Sequence, residues 1–495
     1  MRFEDISREN PWWKFGNKFH NYDRHLRELH NAFIEYKRKP LDLKNGNIYI
    51  IRGMRQIGKT TYIKQTIRSL LENDIDAGTI LYISCDRLSS RKELHNLTSN
   101  FIQQNIEART LYLFLDEITY LKDWVLELKN LADSNYIDRL IIVATGSNPI
   151  KLKEKTERLP GRRVEGNEYY FKPLNFRDFV FQSIDRLSVH IESQELADAL
   201  VGLKGAIEKN TIDLYNFNPT SVKNILPFKE ELDWLFATYT LTGGIPVVIN
   251  DYLAQKYINK KENIGPNIYE RFIRVVLGDI TKLRRSETTA KAILKEIILK
   301  YASRYSFTKI GNSLNISHQT VIEYLELFEN SLLIEVVSSY DFNKKSARIK
   351  GNKKIYFSNP FIYYSVAALL SGEDGFSITE EILLKNRDIL IEGMVANHLA
   401  RTKEIPYLKE WKTFLWMYYT KTGKEIDFIY KGGGDGYLGI EVKYREEVDI
   451  REITHIRETG KDIVLTKNQF EIVDDMTFIP IPVFLAGLGN SQRTL

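Results

Sequence analysis

The feature that most constrains this chain is the run Gly53-Met-Arg-Gln-Ile-Gly58-Lys59-Thr60, which fits the pattern G-x-x-x-x-G-K-[ST]. Each fixed position answers to a chemical need. Gly53 and Gly58 permit the tight backbone in which successive N–H groups converge on phosphate oxygens. Lys59 brings a positive charge to the β- and γ-phosphates, and Thr60 offers a hydroxyl to Mg²⁺. Arg55, Gln56 and Ile57 complete the loop, and Thr61 continues into a helix whose N-terminus faces the anion. The context agrees with the motif. An apolar run, Asn47–Arg52, precedes the loop and a helical pattern, Thr61–Leu71, follows it.

The same alternation extends over residues 47–180. Asn47–Arg52, Thr79–Ile83, Leu111–Leu115 and Leu140–Ala144 are short apolar runs with the β-branched and aromatic content of buried strands. Helical patterns between them predict a parallel sheet covered on both faces. Leu111-Tyr-Leu-Phe-Leu115 ends in Asp116-Glu117. Two acids at a strand end are often solvated caps. Beside a phosphate loop they have specific work: Asp116 holds Mg²⁺ through water, and Glu117 orients and polarises the attacking water. The run Leu140–Ala144 ends in Thr145-Gly-Ser147-Asn148, where Ser147 or Asn148 is placed to sense a γ-phosphate.

Composition limits the alternatives. In 495 residues the chain is 43% hydrophobic, enough for real cores, and its length suits about three domains. Lys and Arg total 70 against 65 Asp and Glu, a net charge of +5 that by itself does not argue for nucleic acid. Cys85 is the one cysteine and the eight histidines are scattered, which excludes an intramolecular disulfide and a Cys/His zinc site. No apolar run reaches a membrane span and the start, MRFEDISRENPWWK, lacks an apolar signal core. The expectation is a cytoplasmic protein with no membrane partner.

The expected organisation is a helical lead over 1–44, a P-loop core over 45–180, a helical lid over 181–288, a winged helix over 289–358, a connector over 359–385 and a small α/β domain over 386–495. In the lead, Leu26, Leu29, Phe33 and Tyr36 recur at helical spacing. In the winged helix, Ile293–Tyr301, Phe307–Ser313 and His318–Asn330 read as helices, Ser317 as a cap, and Leu332–Val337 as the first wing strand. The last domain shows a helix at Asp388–Thr402 and strands at Thr413–Tyr419, Glu425–Tyr430 and Tyr437–Lys443.

Two regions bear on a partner. The third helix carries Glu323, Glu326 and Glu329, which repel phosphate, and only His318, Gln319 and Thr320 suit a groove. The stretch 343–354 holds Lys344, Lys345, Arg348, Lys350, Lys353 and Lys354 with no acid, and points to sequence-independent contact with nucleic acid, DNA above all. Further on, Asp427 and Glu441 fall on neighbouring predicted strands, and Lys443 shares a face with Glu441. Two such carboxylates can share a divalent cation, Mg²⁺ or Mn²⁺, with Lys443 near its water and Glu392 completing the cluster from the preceding helix. Ordinary cross-strand charge pairing explains the same residues.

The run Gly53–Thr61, then Leu115-Asp-Glu-Ile118, Trp124 with Leu128-Lys129, Thr145-Gly-Ser147, Leu159-Pro-Gly-Arg162-Arg163, Lys172-Pro-Leu-Asn-Phe-Arg-Asp-Phe179 and Gly243-Gly-Ile-Pro246 resembles a group of bacterial and archaeal AAA-type ATPases. The resemblance implies an α/β fold, ATP and Mg²⁺ as ligands, and an arginine, Arg162, that stabilises the transferring phosphoryl group within one subunit or across a homo-oligomer boundary. Glu392, Asp427 and Glu441-Val-Lys443 resemble the PD-(D/E)xK nuclease core, a domain that occurs C-terminally in this group. The function expected is ATP hydrolysis coupled to nucleic-acid handling, extending to ATP-gated DNA cleavage. The competing reading is a nucleotide-controlled switch or scaffold whose C-terminal domain only binds DNA or protein.

Overall fold

The computed structural model describes residues 3–146, 167–282, 285–403, 410–434 and 436–489. The chain divides into two compact units, one running to Lys172 and the other starting at Pro173.

The first unit is built on five strands, β1 (Asn47–Gly53), β2 (Ile80–Ser84), β3 (Leu111–Asp116), β4 (Leu140–Gly146) and β5 (Glu168–Phe171), in the order β2-β3-β4-β1-β5. All four pairings are parallel. Alternate side chains go to opposite faces. Ile48, Ile50, Leu113, Leu115 and Ile142 pack in one layer with Phe101, Trp124 and Leu128. Tyr49, Ile51, Phe114, Ile141 and Val143 pack in the other with Ile63 and Ile67. Because β4 lies between β1 and β3, the ends of the phosphate-loop strand and the acidic strand flank the end of β4.

The outer edge of the sheet is closed by side chains. Asn10 accepts from the Tyr82 N–H at 2.7 Å and donates to the Tyr82 carbonyl at 2.9 Å, while Trp12 and Trp13 both donate to the Ile80 carbonyl. An exposed edge strand would otherwise offer these groups to another chain. The lead helix is shorter than its apolar spacing suggests. It spans Arg24–His30, capped by Asp23, and Phe33 and Tyr36 are buried beyond its end.

The second unit begins with helices, among them Phe176–Ser188, Gln194–Lys209, Lys229–Thr242, Pro246–Tyr257 and Pro266–Lys282. Three more, Glu287–Leu299, Phe307–Leu314 and His318–Asn330, lead into β6 (Ile334–Ser338), the small hairpin β7 (Tyr340–Asp341) and β8 (Ser346–Ala347), and β9 (Lys353–Phe357). β6 and β9 pair antiparallel, and Ser317 caps its helix by accepting from the Thr320 N–H. Val321, Leu325 and Phe328 are buried.

The segment expected to be a connector is core instead. Asn359 caps the helix Pro360–Ser371, whose residues Phe361–Val366 are all buried, and a second helix spans Gly375–Lys385. The Asn-Pro pair followed by an apolar run is a helix-start signal that the linker reading overlooked. The helix Arg387–Leu399 then precedes a six-stranded sheet of β10 (Leu415–Tyr419), β11 (Glu425–Lys431), β12 (Tyr437–Lys443), β13 (Lys461–Thr466), β14 (Glu471–Val473) and β15 (Met476–Pro480), ordered β10-β11-β12-β13-β15-β14. The final helix, Ile481–Gly487, packs back on Phe176–Ser188 and Lys229–Thr242.

Candidate functional site

At the carboxyl edge of the first sheet the loop after β1 meets the ends of β3 and β4. Gly58 has φ of 102°, a left-handed conformation that side chains rarely adopt. A Cβ on Gly53 would lie 2.7 Å from the Phe171 carbonyl oxygen, so β5 forbids any side chain there. Gln56 is also left-handed, Ile57 is buried, and Arg55 donates to the Tyr120 hydroxyl at 2.9 Å. The helix Lys59–Glu72 starts at the end of this loop, and Thr61 lies in its first turn.

Lys59 is buried, and its Nζ donates to the carbonyls of Gly53 (3.0 Å) and Met54 (2.8 Å), with Glu117 Oε1 at 3.9 Å. Asp116 is held by hydroxyls. Thr60 donates to its Oδ2 at 2.7 Å and Tyr82 at 3.0 Å, while Thr145 donates to its Oδ1. The Glu117 N–H donates to both Asp116 Oδ1 and Thr145 Oγ1, each at 3.1 Å. Glu117 itself sits at φ 52°, a left-handed turn just past β3, and its side chain is part-exposed. Loop, lysine, hydroxyl and two acids are therefore one constellation. The Thr60 hydroxyl and the Asp116 carboxylate are the oxygen donors that Mg²⁺ takes, so the residues fit that ion.

Sequence reasoning missed Thr145 and Tyr82. A threonine in the last residues of a buried strand, just before Gly146-Ser147, was the available signal for the first. Tyr82 gave none, because its hydroxyl reaches Asp116 across 34 positions of sequence. Ser147, Asn148 and Arg162, expected as sensor and arginine, lie outside the described residues.

The residues expected to form a nuclease centre lie in the second unit. β11 and β12 are antiparallel neighbours with Phe428 opposite Ile440, which puts Asp427 beside Glu441. The cation among these carboxylates is a lysine. Lys354, on β9, is 3% exposed, and its Nζ lies 2.7 Å from Glu392 Oε1 and 2.8 Å from Asp427 Oδ1, and also pairs with Glu425. This corrects the reading of 343–354 as one accessible basic stretch. Lys344, Lys345 and Lys350 are exposed, Arg348 is half-buried over the Tyr419 ring, Lys353 donates to the Ile349 and Gly351 carbonyls, and Lys354 is inside.

The remaining bonds of the cluster are also made. Glu392 accepts from the Tyr356 hydroxyl at 2.6 Å, Asp427 from the Val442 N–H at 2.9 Å, and Glu425 pairs with Arg304 at 2.8 Å. Glu441 accepts from the Thr454 N–H at 2.8 Å and pairs with Lys443 at 3.2 Å. Burial, with Asp427 adding to it, raises Glu392 to about 7, and burial likewise raises Glu441 to about 7. Burial alone would lower Lys354, yet Asp427, Glu392 and Glu425 raise it well above the usual lysine value. Among the described residues no three Asp, Glu, His or Cys side chains are grouped to hold a metal ion.

A third assembly joins the remaining sequence signatures. The Gly243-Gly244 turn comes up to the Lys172–Phe179 segment, where the Leu174 N–H donates to the Gly244 carbonyl at 2.8 Å. The Phe176 N–H donates to His398 Nε2 at 2.9 Å, and Arg401 donates to the Pro173 carbonyl at 2.7 Å. Burial, with Arg401 adding to it, lowers His398 to about 3, so the ring is neutral. These motifs hold structure rather than chemistry.

Comparison with known proteins bears on the first unit most directly: residues 45–180 match the family model of an AAA domain. Residues 45–180 form an AAA-type P-loop domain. Residues 233–373 and 388–484 match two further models, each described as a domain of unknown function (DUF8612 and DUF4143). An uncharacterized protein of Methanocaldococcus jannaschii is 27% identical over 340 residues, 67% of this chain and 63% of that relative, so less than two thirds of its length is spanned. An uncharacterized protein of Haemophilus influenzae is 25% identical over 86% of this chain and 90% of its own. A Walker-type ATPase of Pyrococcus abyssi superposes with a TM-score of 0.39 at 16% identity, covering 74% of this chain and 97% of that one. Among the described residues no single helix is long and apolar enough to cross a membrane.

Proposed function

We propose that the AAA-type domain binds and hydrolyses ATP with Mg²⁺, and that the cycle controls contact between the second unit and nucleic acid. The observation that carries the first part is the meeting of Lys59 and Thr60 with Asp116 and Glu117 at one sheet edge. Backbone N–H groups of residues 53–58 and the start of the helix Lys59–Glu72 bind the phosphates. Lys59 then leaves its two carbonyls for the β- and γ-phosphate oxygens. Bound Mg²⁺ neutralises phosphate charge, with Thr60 and Asp116 as the residues to hold it. Glu117 accepts a proton from the attacking water.

The test is a pair of variants. Lys59→Ala is expected to weaken nucleotide binding, whereas Glu117→Gln is expected to bind ATP and fail to hydrolyse it. Equal hydrolysis by wild type and Glu117→Gln would refute the assignment.

The exposed Lys344, Lys345 and Lys350 around the β7–β8 hairpin support a sequence-independent phosphate contact. The buried ammonium of Lys354 favours the switch reading over cleavage, because it stands among the carboxylates that a cutting metal would need. A supercoiled plasmid left intact in Mg²⁺ or Mn²⁺, with and without ATP, is the expected result. Asp427-dependent nicking would restore the nuclease reading.

A further inference from the structure

The C-terminal cluster has the composition of a metal site and the connections of a closed one. Two of its acids, Glu425 and Asp427, come from β11, Glu441 comes from β12, and Glu392 projects from the helix Arg387–Leu399. A divalent cation at such a site needs carboxylate oxygens that it does not share with a resident cation. Here Glu392, Glu425 and Asp427 converge on Lys354 Nζ, and Glu441 is tied to Lys443. The metal implied by the nuclease-like spacing does not fit beside that ammonium, since two cations would share one set of carboxylates.

Lys354 does not belong to the sheet it neutralises. It comes from β9, which pairs with β6 in the preceding helix-and-strand segment. The same segment is anchored nearby at a second point. Tyr340 packs on Trp416 with ring centroids 4.4 Å apart, its hydroxyl meets that of Tyr437 at 2.6 Å, and Ser339 bridges to Met417. Tyr356, two residues after Lys354, donates to Glu392 from the same strand.

We propose that Lys354 is the built-in cation of the C-terminal carboxylate cluster: it latches the β6–β9 segment onto the β10–β12 sheet, and the cluster takes no divalent metal while that strand is seated. Around the ammonium these carboxylates are not grouped to hold a metal ion; once it is removed, Glu392, Glu425 and Asp427 can turn onto a divalent cation in its place. The inference does not rest on the nucleotide reading, and no nucleotide enters its test.

The experiment melts the full-length, nucleotide-free protein in EDTA and in Mn²⁺. Wild type and Asp427→Asn are expected to differ in Tm, yet to shift equally on adding Mn²⁺, so that any contribution of the P-loop cancels. Lys354→Met is expected to melt several degrees lower in EDTA and to regain part of that loss in Mn²⁺. Adding Asp427→Asn to Lys354→Met is expected to abolish the recovery. Mn²⁺ stabilisation of wild type that disappears in Asp427→Asn would overturn the proposal, as would a folded Lys354→Met indifferent to Mn²⁺. If Lys354→Met does not accumulate folded, the wild-type and Asp427→Asn pair decides: equal shifts support the latch, and an Asp427-dependent shift refutes it.

Discussion

Asp116 and Asp427 are both buried, both lie on strands, and both have a lysine in their cluster, yet they are held in different ways. Asp116 is held by three hydroxyls and a backbone N–H, all neutral donors. Lys59 rests on two backbone carbonyls. Asp427 is bound directly by an ammonium that serves two other carboxylates as well. The contrast separates a site built to receive charge from one whose charge is already matched. Neutral hydrogen bonds can be exchanged for a ligand's at little cost, whereas opening a buried ion pair exposes an uncompensated charge.

The comparison breaks first at Glu117. Replacing it by Gln is expected to slow hydrolysis by about 10²–10⁴-fold, the usual span for losing a positioned base, with ATP binding kept. Phosphate-release kinetics beside nucleotide titration read both quantities.

At the other cluster, Lys354→Met is expected to cost about 3–5 kcal/mol of stability in denaturant unfolding, because it strands buried carboxylates. A loss under ~1 kcal/mol would mean that the ammonium is exchangeable after all, and the distinction between the two sites would go.

Tyr82→Phe sharpens the contrast from the opposite side. It removes one neutral donor to Asp116 and is expected to cost about 1.5–3 kcal/mol, the worth of a hydrogen bond to a charged group. Unfolding curves with and without Mg²⁺-ATP test it, and ligand is expected to narrow the gap to wild type.

A pH titration adds a third kind of buried group. His398 in the folded chain titrates at about 3, below its ordinary 6.5, and must stay neutral to accept from Phe176. The unfolded chain therefore takes up the proton first as pH falls. The stability tied to this histidine is complete above pH 6.5 and drains away between 6.5 and about 3. His398→Gln is expected to flatten that part of the curve, measured by unfolding at a series of pH values.

The smallest effect concerns the exposed cations. Neutralising Lys344, Lys345 and Lys350 is expected to lower the slope of log affinity against log salt by about 0.9 for each duplex phosphate that is no longer neutralised. Adding Lys354→Met is expected to leave the slope unchanged, since that lysine is inside.

How far the sequence could be read follows from the range of the interactions. The phosphate loop was legible because eight consecutive residues, Gly53–Thr60, carry its chemistry, and Asp116-Glu117 was legible as the polar end of an apolar run. The order β2-β3-β4-β1-β5 was not, since nothing local says that β4 separates β1 from β3. Asp427 and Glu441 were found because a hairpin links their strands. Their neighbour Lys354 was misread as one of a run of surface cations, because its partners lie 38 and 73 positions away. A weak sign existed: Lys354 opens directly into Ile355-Tyr356-Phe357, a run whose side chains are all buried. The helix Arg24–His30 stops early for the same reason, as tertiary packing rather than local spacing decides where Phe33 and Tyr36 go.

The return of the last helix has a consequence for how this protein is made. Ile481–Gly487 fills the space against Phe176–Ser188 and Lys229–Thr242, and Arg177 donates to the Ala486 carbonyl at 3.1 Å. A nascent chain leaving the ribosome therefore carries those helices with an apolar face open until Ile481–Gly487 has emerged. The AAA-type sheet, complete by Phe171, has no such wait. Folding in the cell is thus expected to proceed in two instalments, the first once Phe171 has emerged and the second only after Gly487 has. The exposed helices in between are the natural clients of a chaperone.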